Sequence, residues 1–199
     1  MELVLAVLLG AGLSASAGLN AFLPLLLLGA AARFQIAGIA LNGSFAWLTS
    51  DLTLGVLIVA SILEIIADKI PAVDHALHSV GTILRPVAGT VAAASVLTDL
   101  DPGIAALLGL IIGAPTSLGF HTLKSGTRVG SSATTFGCAN PVLSVVEDVI
   151  SFVVAALSIL APLIVPLILG FFGVVIWQIA KRLRRRAAVT APAPSGGGP

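Results

Sequence analysis

Long apolar stretches, separated by short polar ones, set the pattern of this chain. The first apolar run is Leu3 to Ala32, and the second is Leu52 to about Pro71. A third spans Gly81 to Leu97, a fourth Gly103 to Leu123, and the last Val142 to Ala180. A bilayer core of about 30 Å needs roughly 20 apolar residues per helix. The last block is too long for one pass, and its "APLIVP" (161–166) carries two prolines that break helices. It is therefore read as two passes joined near Ala161. The predicted fold is all-α: a polytopic membrane protein of six transmembrane helices over residues 1–186. The tail "AAVTAPAPSGGGP" (187–199) is poor in bulky apolar residues and rich in Pro and Gly, so it is expected to be disordered and cytoplasmic.

Composition agrees with a lipid-embedded chain. Hydrophobic residues make up 57% and charged residues 10% of the 199, against about 25% charged in a soluble domain. The net charge of +1 offers no basic face for nucleic acid. Five of the ten bases lie in "KRLRRR" (181–186), a membrane-flanking cluster of the kind that stays cytoplasmic. With six passes both termini are cytoplasmic, and Lys69, Lys124 and Arg128 lie on that side while Arg33 faces out. The expected location is a bacterial inner membrane, with the bilayer as partner and homo-oligomers left open. A cleaved signal peptide is disfavoured, because the start carries Glu2 and no base before its apolar core. Cys138 is alone, so one chain forms no disulfide and no thiolate metal site.

Two halves of three passes suggest a 3+3 inverted repeat. "SAGLNAF" (16–22) aligns with "SLGFHTL" (117–123), and the second and fifth passes each carry an acidic pair. Chance resemblance among small residues explains this as readily. The stretch "GAGLSASAGLN" (10–20) followed by Pro24 reads as a helix-packing seam, with a discontinuous helix lining a substrate site as the rival reading. Asn20 belongs to that stretch.

Candidate chemistry concentrates near the cytoplasmic ends. Glu64, Asp68, Glu147 and Asp148 lie inside apolar runs, as do Arg85 and His121. They form one shallow polar layer in which four acids meet Lys69, Arg85, Lys124 and Arg128. Intramembrane charges cost about 2.5 to 3.5 kcal/mol each on insertion scales, so they should face one another or water. If Glu64 pairs with Arg85 or Lys124, the layer is a structural ion-pair network of a scaffold or lipid-interacting protein. If Glu64 and Glu147 line a wet path, they serve a small solute or cation, and this reading is preferred. "DHALH" (74–78) places Asp74, His75 and His78 at a spacing that would suit a divalent metal, although solvated polar residues are routine at a membrane surface. No phosphate loop, HExxH or GxSxG occurs, so no enzyme and no cofactor is expected.

Four segments, "GLNAFLPLLLLG" (18–29), "LEIIADKIPAVDHALHSVGTILRPVAG" (63–89), "GFHTLKSGTRVG" (119–130) and "NPVLSVVEDV" (140–149), resemble an uncharacterised bacterial membrane family, domain of unknown function 4126. The resemblance covers roughly residues 5 to 185. It implies a small integral membrane protein and supplies no substrate or catalytic residue.

Overall fold

A computed structural model describes residues 2–136 and 138–190, with side chains left out at 71–78, 176, 179, 180 and 182–190. Every described element is helical: α1 Leu3–Leu19, α2 Leu23–Arg33, α3 Asp51–Ala67, α4 Pro71–Ser95, α5 Pro102–Thr135, α6 Asn140–Leu160 and α7 Val165–Thr190. Short 3-10 turns at Ile36–Gly38, Gly43–Thr49 and Pro162–Ile164 complete the described elements. Local chemistry sets several helix starts. Ser50 accepts from Thr53 N at the start of α3, and Asp101 accepts from Gly103 N ahead of Pro102 in α5. The last apolar block breaks at Ala161 and Pro162, where two prolines predict it.

The first apolar run departs from expectation. It is two helices, parted where Asn20 adopts an extended backbone. The Asn20 side chain accepts from the N–H of Leu23, the first residue of α2, and Pro24 follows in the first turn, where no hydrogen bond is needed. Contacts at the ends fix the direction of α2. Asn42 donates from its backbone to Ser95 O, and from its side chain to Leu97 O and Leu100 O. Leu97 in turn packs in one cluster with Ala6 and Ala105. The loop after α2 therefore lies at the end of the bundle where α1 begins. A straight continuation would carry Phe34 about 42 Å from that end, whereas eight extended residues reach only about 28 Å to Asn42. So α1 and α2 form a re-entrant hairpin, and its tip, residues 20–22, lies inside the bundle.

Five helices then alternate in direction. α3 starts beside α2, where Arg33 pairs with Asp51 at 2.7 Å. α4 runs antiparallel to α1, with Ser14 Oγ donating to Gly89 O at 2.8 Å. α5 runs parallel to α1: Ala105 packs near Ala6, and farther along Lys124 meets Leu19 O. α6 returns, with Ser151 against Ser16. α7 passes Gly12 at Val165 and reaches Phe120 at Phe172, with ring centroids 5.0 Å apart. Where α4 and α5 cross, Gly89 and Gly113 bring the backbones together, and a methyl group on Gly113 would overlap Gly89 O.

Three expectations change as a result. Leu3 and Thr190 lie at opposite ends of the bundle, because one predicted pass is a hairpin. The six-pass count loses its first member: among the described residues α5 and α6 are long and apolar enough to cross a membrane. A third crosses if the 43–49 turn and α3, bent by 64°, count as one; α1 and α2 are shorter apolar helices. Finally, the aligned segments 16–22 and 117–123 run in the same direction, which an inverted repeat forbids. Large apolar side chains such as Leu52, Ile83, Leu107, Phe152 and Leu167 face outward, and this surface is compatible with a membrane protein. α7 continues to Thr190, past the predicted boundary at 186; the expected tail from 191 onward lies outside the described residues.

Candidate functional site

The hairpin tip exposes backbone groups that a continuous helix would satisfy, and buried charges take their place. At the start of α2 the Glu64 carboxylate accepts from Ala21 N at 2.9 Å and 3.1 Å, and from Phe22 N at 3.4 Å. These N–H groups stand at the positive end of a helix, which favours an anion. At the end of α1 the Lys124 ammonium donates to Leu19 O at 2.9 Å, a cation on the negative end. Each half of the broken run is thus met by the charge that its exposed backbone favours.

Two clusters flank the tip. In the first, Arg85 Nη2 lies 3.2 Å from Glu64 Oε1, and Arg85 Nη1 lies 2.5 Å from His121 Nδ1. The other His121 nitrogen is 3.3 Å from Thr82 Oγ1, and Ser117 Oγ donates to Arg85 O at 2.7 Å. In the second cluster, Asp68 Oδ2 receives Lys124 Nζ at 2.5 Å and Arg128 Nη2 at 3.3 Å. The same two cations reach Glu147 Oε2, at 3.5 Å and 2.9 Å. Asp148 stands at the rim, where Asn20 Nδ2 donates to Oδ1 at 3.2 Å and Lys69 Nζ lies 3.3 Å from Oδ2.

The structure therefore brings together Glu64, Asp68, Glu147, Asp148, His121, Arg85 and Asn20 in one layer. Glu64, Asp68, Arg85, Lys124, Arg128 and Glu147 are each at most 7% exposed. Glu64, expected to line a wet path, is ion-paired with Arg85 and accepts from the backbone of Ala21 and Phe22. Asp74, His75 and His78 lie outside the described side chains, so the metal reading stands where the sequence left it. The sequence reading missed the backbone groups of Leu19, Ala21 and Phe22, and the supporting Thr82 and Ser117. Asn20 four residues before Pro24 was the available signal for the break.

A cavity of about 260 Å³ between α3 and α4 reaches this layer. Its walls are mainly apolar, from Ala60, Leu63 and Ala67 on one side and Val80 and Leu84 on the other, with Glu64 and Arg85 at its polar end. The arrangement is suited to holding a charge and to exchanging ion-pair partners. Among the described residues no three His, Cys, Asp or Glu side chains gather as a metal site.

No curated protein and no solved structure matches the chain. The family model for a domain of unknown function, DUF4126, matches residues 7–182. With nearly its whole length covered by that match, the chain belongs to the DUF4126 family.

Proposed function

We propose that this protein sits in a bacterial inner membrane and translocates a small solute or ion, with the hairpin tip and its charged layer as the closed point of the path. The observation that carries this reading is the tip itself. Irregular backbone at membrane depth is tolerated only where protein buries it or where it lines a cavity, and discontinuous helices are a common way to build a solute site. A scaffold would be served as well by a continuous helix and an apolar core. Buried ion pairs are often no more stabilising than apolar residues of similar volume.

In this reading α3 to α7 make five crossings, and "KRLRRR" (181–186) keeps the end of α7 cytoplasmic. Lys69 and Arg128 fall toward the same side, and Arg33 falls on the other. The start of the chain then lies outside, and its Glu2 with no nearby base does not oppose that. The chain acts without a cofactor and is no enzyme.

One observation favours the second reading, a scaffold or lipid-interacting protein: Glu64, Asp68, Glu147 and Asp148 each lie within ion-pair distance of a base. Reconstituted vesicles separate the two. After osmotic shrinkage in a series of small salts and neutral solutes, wild-type vesicles should re-swell in at least one, and Arg85→Gln vesicles should not. Re-swelling no faster than in protein-free vesicles, for every solute, would favour the scaffold.

A further inference from the structure

We propose that the Glu64 carboxylate is a tethered occupant of an anion site, and that a small monocarboxylate with a short aliphatic chain can take its place. The role in translocation rests on the reading above; binding stands on the geometry alone. Three groups make the site: the α2 N-terminal amides of Ala21 and Phe22, and the Arg85 guanidinium, 4% exposed. Bidentate or multidentate donors of this kind suit a planar carboxylate.

A separate observation points to a ligand. Arg85 Nε is buried and has no hydrogen-bond partner. Gly81, which lines the cavity, keeps the space beside it open; a methyl group there would stand 3.5 Å from Nε. A carboxylate displacing that of Glu64 from the amides would keep the Arg85 contact and have this donor within reach. Its chain would lie along Ala60, Leu63, Val80 and Leu84, walls that offer polar groups little. The cavity opens at the surface, where its wall residues Leu63 and Val80 are exposed, so a short chain lies along the walls with its far end free.

The exchange moves no covalent bond. One carboxylate leaves three donors and another arrives, so the charge of the buried layer stays the same only if Glu64 carries its own charge out toward solvent. This makes the substrate class anionic, where the acidic layer by itself suggests a cation.

The test is thermal unfolding of the purified full chain in detergent, with acetate, butyrate and chloride titrated at matched ionic strength. Glu64→Ala vacates the site, so acetate and butyrate should raise its Tm saturably while chloride does so weakly. Each methylene buried in the cavity should tighten binding about four-fold, placing butyrate ahead of acetate. Wild type should follow the same order at concentrations at least about ten-fold higher, because the tethered carboxylate competes. Gly81→Leu in the Glu64→Ala background fills the space beside Arg85 Nε and should weaken the response to acetate and butyrate alike.

No saturable response of Glu64→Ala beyond chloride would overturn the site. So would a response that survives in Glu64→Ala with Arg85→Gln. A wild type that never responds would overturn exchange, leaving Glu64 a fixed strut. If Glu64→Ala does not fold, Glu64→Gln replaces it, with wild type as the second arm. Carboxylate flux into wild-type vesicles separates the two claims. Binding without flux contradicts translocation alone, whereas flux of another solute without carboxylate binding contradicts this site alone.

Discussion

The two ends of the hairpin tip are held by opposite charges, and the two clusters differ in how closed they are. Asp68 and Glu147 share Lys124 and Arg128, so each carboxylate sees two cations and each cation two carboxylates. Among the described residues Glu64 pairs with one cation, Arg85, and draws further support from backbone amides. The first arrangement is a cross-linked knot among α3, α5 and α6. The second is a carboxylate seated in a socket that opens onto a cavity. A knot resists the loss of any member, whereas a socket tolerates a substitute for its occupant. That difference is why exchange is assigned to Glu64 and anchoring to Asp68.

Neutralising the centre of the knot should therefore have the largest effect. Lys124→Gln leaves Asp68 and Glu147 short of a cation and weakens the bond to Leu19 O. A loss of about 3 to 5 kcal/mol is expected for a broken buried pair, read as the shift in thermal unfolding in detergent. Asp68→Asn added to Lys124→Gln should recover much of it. Failure of that rescue would place the role of Lys124 in the Leu19 contact instead.

Glu64→Gln should cost less, about 1.5 to 3 kcal/mol, because the amide oxygen still accepts from Ala21 while Arg85 loses its anion. Arg85→Gln added to it should restore part of the loss. A loss as large as that of Lys124→Gln would erase the distinction between socket and knot. Lys69→Gln should be nearly silent, at about 0 to 1 kcal/mol, since Lys69 is a third exposed and its pair with Asp148 lies at the rim. A larger loss would extend the knot to the surface.

Much of the layer was legible in the sequence. Acids and bases inside apolar runs had to meet one another or water. The count of four against four left Arg85 or Lys124 as a partner for Glu64, and Arg85 is the one it meets, although a wet path was the preferred reading. Depth within each helix placed them together, since helical rise converts residue number into distance. The hairpin was less legible. An apolar run has the same composition whether it crosses once or folds back, and hydropathy reports neither direction nor the partner of a backbone amide. Two features bore on it: the run from Leu3 to Ala32 spans about 45 Å as one helix, longer than a bilayer core, and Asn20 stands four residues before Pro24. The apparent repeat misled because Ser and Gly recur wherever helices pack closely, as Gly18 does against Ser117.

The re-entrant hairpin underlies every assignment made to the tip, and labelling from either side of the membrane tests it most directly. In a Cys138→Ser background, single cysteines at Glu2, Asp99 and Ala187 are exposed to an impermeant maleimide in intact cells and in inverted vesicles. The hairpin requires Glu2→Cys and Asp99→Cys to label from one side and Ala187→Cys from the other. Labelling of Glu2→Cys together with Ala187→Cys, opposite to Asp99→Cys, would restore a single first pass and contradict the hairpin.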